Sequence, residues 1–388
     1  MLSMKAIIIG GGIGGLTAGI ALQKRGIDYE VFESAPEIRP VGAGIWLGGN
    51  AMNVFEKLGV ADAIKSCSYY QKEIFIKDYR GSILQRVDNE LIRQKYGNGT
   101  YSIHRAALQE VLAAEVGTKL HTGKKCTGIY QHTSGVTAHF EDGTQVHGDF
   151  VIAADGIRSV IREKYVTKAV YRYSGQTCWR AIVHMNLPRE EQNQSAEIWG
   201  YDRGLRASYS QVGKEQVYFW VTIAMEKDSH FNNMDAHRQI KKWLQPFSGY
   251  NLQTVVRNIQ PELLIHSDLY DIKPVDKWYA GNIVLLGDAA HATTPNLGQG
   301  AGQAIEDAYV LAACLEKEPD QPQAAFANYQ NKRIKRTQKV VDISWKLAQM
   351  TNIGNPALRH IRNWIIKATP NFVTQKQFDL LYGIDLDS

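Results

Sequence analysis

Residues 5–15 of the chain have the sequence KAIIIGGGIGG, and this stretch decides the fold class. Its apolar, β-branched part, residues 5–9, is typical of a buried parallel strand. Glycines follow in GxGxxG spacing, and residues 16–24 then have helical composition. The pattern predicts a strand, a tight turn and a helix, as at the start of a dinucleotide-binding fold. The spaced glycines are Gly10, Gly12 and Gly15.

A second predicted strand, residues 29–33, ends in an acidic residue. Glu33 lies 18 positions beyond Gly15. A carboxylate there can accept hydrogen bonds from both ribose hydroxyls, while the glycines let the backbone approach a pyrophosphate at the positive end of the helix. We therefore expect a bound dinucleotide. Glycine turns also arise for packing alone, and this motif does not separate FAD from NAD.

Three later segments favour FAD. Residues 102–105 (SIHR) precede a helix-like stretch, and residues 151–156 (VIAADG) and 283–288 (IVLLGD) are apolar runs that end in polar turns. Ligands bind at such strand ends in an open α/β sheet. A glycine cluster at 298–302 precedes a predicted helix, whose N-terminus can stabilise negative charge on a reduced flavin. Asp288 is placed to bond a ribityl hydroxyl.

The order and spacing of these motifs resemble the p-hydroxybenzoate hydroxylase-like (class A) FAD-dependent monooxygenases over nearly the whole chain. The resemblance implies that Glu33 binds the FAD ribose, that Arg105 lies near the ribityl and phosphate groups, and that Asp155 serves flavin and nicotinamide binding. It also implies that Asp288 contacts the ribityl chain and that residues 298–302 line the pyrimidine side of the ring. The expected cofactor residues are Gly10, Gly12, Gly14, Gly15, Glu33, Ser34, Trp46, Arg105, Asp155, Asp288, Gly298, Gly300, Ala301 and Gly302.

Within that family the chain is similar to the branch that contains urate and salicylate hydroxylases, because of PVGAGI at residues 40–45 and Asn50. Two positions beside the expected flavin ring depart from the branch. Trp46 stands where smaller residues are common, and Gly49 stands where proline is usual. We therefore expect a pocket whose shape differs there from that of the branch.

The resemblance also supplies three catalytic candidates, Arg206, Tyr218 and Arg180. Arg206 and Tyr218 match substrate-contacting positions of the urate-type branch, whereas Arg180 matches a position where that branch has an asparagine. A guanidinium can bind a carboxylate or a vicinal carbonyl pair through two hydrogen bonds, so Arg180 indicates a substrate acid rather than urate. An arginine in a sheet can equally be a surface or ion-pair residue. Tyr209 is expected to pack rather than to touch substrate.

The predicted fold class is α/β, with a discontinuous Rossmann-like FAD-binding domain, an inserted and mostly antiparallel β-sheet substrate domain, and a C-terminal helical segment. The inserted part contains strands of aromatic and β-branched residues, which suits a sheet that covers the flavin. Trp199, Phe219 and Trp220 in these strands are candidates for the pocket wall. The expected domains are 1–70, 100–170 and 275–330 for FAD, 71–99 and 171–274 for the substrate, and 331–388 for the C-terminal helices.

The C-terminal part is expected to contain one long helix from Phe326 to Met350 and a further helix at about 357–368. A basic run on the long helix is interpreted as a solvated face, although such a run also fits a membrane or nucleic acid. His291, which follows the Gly287-Asp288 pair, is interpreted as a structural residue bonded to backbone rather than as a catalytic base. The basic run consists of Lys332, Arg333, Lys335, Arg336 and Lys339.

Length and composition limit the remaining choices. A chain of 388 residues suits two domains, and a net charge of +5, from 44 basic and 39 acidic residues, is too small to indicate nucleic acid. The four cysteines lie far apart, which fits a reducing compartment and argues against a metal or redox-dithiol site. Glycines interrupt the most apolar stretch, residues 6–22, so no membrane span is expected. We expect a cytoplasmic monomer or homodimer.

Together the motifs predict an FAD-dependent monooxygenase that hydroxylates a small aromatic or heteroaromatic substrate. NADH or NADPH would reduce FAD, and O2 would then give a C4a-hydroperoxide that transfers one oxygen atom. Without a second GxGxxG motif, NAD(P)H is expected to reach the flavin only transiently. Two alternatives stay open: a flavin monooxygenase of a larger polycyclic natural product or antibiotic, and a non-catalytic nucleotide-binding redox sensor.

Overall fold

The computed structural model describes residues 4–38, 43–229, 231–247, 251–384 and 386. The first three residues of the PVGAGI segment, residues 40–42, lie outside this part of the chain. The strands of the described part are β1 (Lys5–Ile9), β2 (Asp28–Phe32), β3 (Gly44–Leu47), β4 (Ser68–Tyr70), β5 (Glu73–Asp78), β6 (Ile83–Asp88), β7 (Tyr101–His104), β8 (Leu120–His121), β9 (Cys126–His132), β10 (Gly135–Phe140), β11 (Gln145–Gly148), β12 (Phe150–Ala153), β13 (Tyr171–His184), β14 (Gln194–Trp199), β15 (Arg206–Gly213), β16 (Gln216–Ala224), β17 (Ile265–Ile272), β18 (Tyr279–Ala280) and β19 (Ile283–Leu285).

The helices follow the expected order, with one more helix near the C-terminus than the sequence pattern predicts. They are α1 (Ile13–Gln23), α2 (Gly49–Leu58), α3 (Ala61–Ser66), α4 (Asn89–Tyr96), α5 (Arg105–Val116), α6 (Asn233–Leu244), α7 (Leu252–Arg257), α8 (Asp288–His291), α9 (Gly300–Lys317), α10 (Pro322–Thr351), α11 (Pro356–Lys367) and α12 (Asn371–Tyr382). The long helix and the helix after it are confirmed as α10 and α11. No helix was predicted at α12.

A six-stranded sheet with the order β18-β19-β12-β1-β2-β8 forms the Rossmann-like part. Its strands are parallel except for the edge pair β18–β19. Strands β1 and β12 are almost entirely buried, as their continuous apolar sequences predict. Because parallel strands end at one edge, the turns after β1, β2, β12 and β19 lie together there.

Layers on both sides bury this sheet. Helices α1, α5 and α9 pack together, and α1 also packs on β2. A three-stranded sheet, β11-β10-β9, which the sequence pattern did not predict, packs on β1 and β12. The contact is close at Gly148, where an added Cβ would lie 2.8 Å from the Ile7 side chain.

A seven-stranded sheet with the order β17-β13-β16-β15-β14-β5-β6 forms the second part. It is antiparallel except for the β14–β5 pair, as predicted for the substrate region. Strand β16 shows how its faces differ. One face packs in an apolar core with α6 and α7, and the other faces a cavity. The first set is Val217, Phe219, Val221 and Ile223, and the second is Tyr218, Trp220 and Thr222.

The interpretation of the basic run on α10 as a solvated face is wrong for two of its five members. Arg333 is buried and forms ion pairs with Glu306 and Asp307 of α9, and Arg336 is ion-paired with Glu306. The two arginines are three residues apart, so they share the face of α10 that packs on α9. The exposed members are Lys332, Lys335 and Lys339.

Candidate active site

A cavity of about 480 Å³ lies between the carboxyl edge of the six-stranded sheet and one face of the seven-stranded sheet. Its size is typical of a small-molecule or cofactor site. Most of the expected site residues line it, from both sides: Gly12, Gly14, Trp46, Arg105, Arg180, Arg206, Tyr218, Asp288, Gly298, Gly300 and Ala301. Six expected cofactor residues are not part of its lining: Gly10, Gly15, Glu33, Ser34, Asp155 and Gly302.

The glycine turn after β1 requires glycine for two different reasons. At Gly10, where φ is +112°, an added Cβ would lie 2.3 Å from the Ala154 carbonyl oxygen, and at Gly15 it would lie 1.9 Å from the Gly10 carbonyl oxygen. At Gly12, which lines the cavity, an added Cβ would meet no atom within 4 Å in the described part of the chain. Gly10 and Gly15 therefore close the turn, whereas Gly12 leaves bare backbone for a ligand at the N-terminus of α1.

Glu33 follows β2 and is oriented by backbone donors. Its Oε2 accepts a hydrogen bond from the Gly11 N–H at 2.7 Å, and its Oε1 accepts one from the Ala35 N–H at 2.8 Å. The Ser34 hydroxyl also donates to Oε1, at 3.0 Å. A carboxylate has about four acceptor positions, so the Glu33 carboxylate can still accept hydrogen bonds from ribose hydroxyls.

Asp288 and Arg105 both line the cavity, Asp288 at the start of α8 and Arg105 at the start of α5. The Asp288 side chain is surrounded by protein but is open to the cavity. Burial raises the pKa of its carboxyl, and the charges on His291 and Arg105 oppose that rise. Burial lowers the pKa of the Arg105 guanidinium, and Asp288 opposes that shift. The Nε atom of Arg105 is buried and has no hydrogen-bond partner among the described residues.

The turn after β12 carries Asp155. Its Oδ2 accepts a hydrogen bond from the Ile161 N–H at 3.3 Å, and its buried Oδ1 has no partner within the described part of the chain. Burial raises the pKa of this carboxyl. The neighbouring residues Ala154 and Gly156 line the cavity. Asp155 therefore lies just behind the surface that a cofactor would touch.

The segment before α9 completes the cofactor side. A short 3-10 turn, Pro295–Leu297, leads to Gly298 with φ of +62°, and α9 begins at Gly300 with its N-terminus at the cavity. Gly302 lies behind this surface, where an added Cβ would be 3.0 Å from Nδ2 of Asn50. The positive end of α9 is therefore available to an anionic group in the cavity.

These features fit FAD. A dinucleotide pyrophosphate needs exposed backbone beside a helix N-terminus, as at Gly12, and its ribose needs a carboxylate such as that of Glu33. The buried Nε of Arg105, which lines the cavity, needs a partner that the described residues do not supply. The N-terminus of α9 can stabilise negative charge on an isoalloxazine ring.

The opposite wall is built from side chains of the seven-stranded sheet. Arg180 on β13 lies opposite Trp220 on β16, and its Nε donates to Cys178 Sγ at 3.4 Å. No ion pair to Arg180 occurs within the described ranges, although Glu197 also lines the cavity. Tyr218 fits beside Gly44, where an added Cβ would lie 2.5 Å from its ring. Burial raises the pKa of Tyr218, so its phenol stays protonated at neutral pH.

Arg206 has a different environment from Arg180. Its guanidinium donates to Glu197 Oε1 at 2.9 Å, to Asn296 Oδ1 at 2.6 Å and to Gln176 Oε1 at 3.3 Å. The charge of Arg206 is therefore balanced by Glu197, and its bond to Asn296 ties the sheet to the turn before α9. Arg206 touches the cavity, but much of its hydrogen-bonding capacity is used within the protein.

Three further predictions concern neighbouring aromatic and histidine side chains. Trp220 lines the cavity, whereas Phe219 packs on the opposite face of the sheet and Trp199 is not part of the lining. Tyr209 packs in that opposite core and donates to Glu191 Oε2 at 2.9 Å, which confirms the packing interpretation. His291 is buried as expected, but its Nε2 contacts Asp307 Oδ2 at 2.5 Å, so the expected backbone partner was wrong.

Several cavity residues were missed by sequence reasoning. Glu197, Asn296 and Cys178 carry no motif, because their roles arise from contacts between distant strands. The period-two alternation of β16 could have found Thr222, since Tyr218 fixes which face of the strand meets the cavity.

A Rossmann-like sheet with a glycine turn, joined to a sheet that covers a cofactor-sized cavity, defines the class of FAD-binding flavoproteins. The chain belongs to the family described as "FAD binding domain", whose model matches residues 3–344. It is an FAD-dependent monooxygenase of the p-hydroxybenzoate hydroxylase-like type, an oxidoreductase, as the sequence resemblance implied.

Similar proteins support this placement over nearly the whole length. The chain is 36% identical to an aurachin C monooxygenase/isomerase of Stigmatella aurantiaca over 367 residues, which are 94% of each protein. It is 34% identical to a 3-hydroxybenzoate 6-hydroxylase of Polaromonas naphthalenivorans, covering 98% of this chain and 96% of that protein. The structure of Klebsiella pneumoniae HpxO with FAD and uric acid has a TM-score of 0.89 and 27% identity, covering 97% of this chain and 96% of the other.

Proposed function

We propose that this protein uses NADH or NADPH and O2 to hydroxylate a small aromatic or heteroaromatic substrate that carries an anionic group. The observation that carries the proposal is the environment of Arg180, which faces the cavity without a carboxylate partner among the described residues. A guanidinium away from bulk water favours a ligand anion strongly. The anion would be a carboxylate or an ionised ring hydroxyl.

The proposed cofactor contacts divide between backbone and side chains. Gly12, Gly14 and the N-terminus of α1 would hold the pyrophosphate, and Glu33 and Ser34 the ribose. Arg105 and Asp288 would hold the ribityl chain, with Asp155 behind them, and the segment 298–302 would lie along the ring. Bound FAD supplies the redox chemistry: electrons from NAD(P)H activate O2, one oxygen atom enters the substrate and the other leaves as water.

The chain itself would orient the substrate and exclude water. Arg180 would fix the anionic end of the ring, and the protonated Tyr218 hydroxyl could donate a hydrogen bond to a substrate oxygen. Trp46 and Trp220 would keep the cavity apolar, and Trp46 is held by its Nε1 donating to Ser210 Oγ at 3.3 Å. Arg206 would position the turn before α9 through Asn296.

The names of two similar proteins mention an acid as substrate or ligand, which supports an acidic substrate for this protein. One is the 3-hydroxybenzoate 6-hydroxylase, and the other is HpxO, crystallised with uric acid. The aurachin C monooxygenase/isomerase fits the same reaction class, as a monooxygenase.

The test is NAD(P)H oxidation by the purified flavoprotein with pairs of aromatic compounds that differ only in charge, such as benzoates and their amides. We expect the acid of a pair to stimulate oxidation and to gain one oxygen atom by mass, with little H2O2 released. If the neutral compound of a pair stimulated NAD(P)H oxidation equally, Arg180 would not recognise an anionic group of the substrate. Oxidation that no aromatic compound stimulates would instead favour a non-catalytic redox sensor.

We also propose that the enzyme works in the cytoplasm. Cys178 and Cys314 are buried and Cys67 and Cys126 are half-buried, all as free thiols, which suits a reducing compartment. The test is the distribution of the native protein after cell fractionation, and light scattering on the same sample distinguishes a monomer from a homodimer.

A further inference from the structure

Helix α11 (Pro356–Lys367) exposes apolar side chains to solvent and packs basic side chains against the protein, which is the reverse of an ordinary surface helix. Leu358, Ile361, Trp364 and Ile365 are all exposed, from 52% up to 70% at Trp364. On the other side Arg362 is buried and Arg359, one turn earlier, is only half-buried. A surface helix normally turns its apolar face to the core, so this arrangement indicates that the exposed apolar face contacts something outside the chain.

Specific contacts fix α11 in this orientation. The guanidinium of Arg362 lies 4.6 Å from the centroid of the Trp199 ring and donates to the Met350 carbonyl oxygen at 3.2 Å. The helix packs on β6 of the seven-stranded sheet, and Lys367 Nζ lies 3.5 Å from Ser82 Oγ. The buried arginine would be costly to expose, so the apolar side is held outward.

The next helix, α12 (Asn371–Tyr382), adds two exposed apolar side chains near its start. Phe372 and Val373 are 64% and 43% exposed. We call these two residues and the four of α11 the C-terminal apolar face. An isolated exposed apolar residue needs no explanation, but six of them within two consecutive helices are a concentration of the kind found at binding surfaces.

The chain around this face is basic. Residues 343–378 contain no aspartate or glutamate, and they contain Lys346, Arg359, Arg362, Lys367 and Lys376. Within the described part of the chain, none of these side chains on α11 forms an ion pair with a carboxylate. Helix α11 therefore combines exposed apolar side chains with the half-buried Arg359 and the exposed Lys367, neither of which is ion-paired within the described ranges.

We propose that the C-terminal apolar face docks the enzyme on the surface of an anionic lipid bilayer. Apolar side chains with a tryptophan enter the interface between headgroups and acyl chains, and the surrounding lysine and arginine residues attract anionic headgroups. A second copy of this chain fits less well, because a two-fold contact would bring the same positive charges together. None of the described helices is long and apolar enough to cross a bilayer, so the docking would be peripheral.

The experiment is co-sedimentation of the FAD-loaded enzyme with vesicles of phosphatidylcholine alone or of equal parts phosphatidylcholine and phosphatidylglycerol. We expect binding to the anionic vesicles that weakens in high salt. The double variant Trp364→Ser, Ile365→Ser should lose at least about tenfold in vesicle affinity. Tyr130→Ser is the matched control, since Tyr130 is 65% exposed on β9 of another sheet.

A second measurement does not depend on the folding of the double variant. Brominated phosphatidylglycerol should quench part of the tryptophan fluorescence of the wild type, and Trp364→Phe should bind equally well but lose most of that quenching. Wild-type enzyme that stays in the supernatant with anionic vesicles contradicts the proposal. So does a wild-type dimer that the double variant converts to a monomer without any vesicle binding. Neither outcome bears on the oxygenase reaction, which can be assayed without lipid.

Discussion

The two walls of the cavity are built by different means. On the cofactor side much of the surface is backbone, from Gly12 and Gly14 in the glycine turn and from Gly298 and Gly300 at the start of α9. On the substrate side it consists of side chains, with Arg180, Tyr218 and Trp220 projecting from one face of a sheet. A ligand common to a whole family can be held by backbone, whereas a ligand particular to one enzyme needs side chains that can change without altering the fold.

The largest expected effect concerns the buried charges beneath the cofactor wall. Arg333→Met removes the cation shared by Glu306 and Asp307, and leaves these two buried carboxylates with only Arg336 and His291 as their respective partners. We expect the free energy of unfolding to fall by about 3–5 kcal/mol, measured by urea denaturation. Lys335→Met, at an exposed position on the same helix, should change it by less than about 0.5 kcal/mol. Equal effects of the two would mean that the buried cluster does not support α9.

The next effect concerns the closure of the glycine turn. Gly15→Ala places a Cβ 1.9 Å from the Gly10 carbonyl oxygen, a contact that only a backbone shift can relieve. We expect a loss of about 3 kcal/mol in the free energy of unfolding, together with loss of FAD. Thermal unfolding of the apoprotein measures the loss of stability separately from the loss of FAD binding. A variant of wild-type stability would contradict the turn geometry.

On the substrate wall, Arg180→Gln should lower kcat/KM for an acidic substrate by about a hundredfold, the usual consequence of losing a hydrogen-bonded charge pair. FAD affinity should not change, because Arg180 belongs to the other wall. Arg86→Gln, a change at an exposed position of the same sheet, is the control and should leave kcat/KM and FAD affinity unchanged. If Arg180→Gln instead released FAD, the two walls would not be functionally separate.

The pH dependence of stability should report on the buried cluster. Burial alone would raise the pKa of Asp307, but charges on His291 and Arg333 lower it to about 2, below its ordinary value of 3.8. The unfolded chain then binds this proton more readily than the folded protein. The stabilisation of about 2 kcal/mol is therefore present above pH 3.8 and is lost as the pH falls towards 2. Asp307→Asn should lose this slope in acid urea titrations. If Asp307→Asn kept the wild-type pH dependence of the free energy of unfolding, other carboxyl groups would be its source.

The two walls differ in where their prediction came from: motifs in the chain predicted the cofactor wall, whereas family resemblance supplied the substrate wall. Glycine spacing and the positions of Glu33 and Asp288 are local consequences of a strand and the turn after it, so one stretch of chain contains the information. Arg180 and Tyr218 were proposed only through resemblance, and Glu197 and Asn296 were missed, because they come together only when strands and turns distant in the chain pack.

The basic run on α10 shows the same limit. Arg333 and Lys335 look alike in sequence, yet one is buried and the other exposed. The difference arises because Glu306 and Asp307 on α9 lie against only one face of α10. A charge pattern on one helix does not reveal acidic residues on another, so burial of Arg333 could not be inferred without the packing.

The most direct test of the backbone-built wall is FAD affinity in Gly12→Ala. A Cβ at Gly12 meets no atom of the described residues within 4 Å, and Gly12 lines the cavity, so apoprotein stability should be unchanged while FAD binding weakens by roughly tenfold or more. Calorimetric titration of the apoprotein with FAD, beside thermal unfolding, measures both. Wild-type FAD affinity in this variant would contradict the account, because the bare backbone at Gly12 would then not be where the cofactor is held.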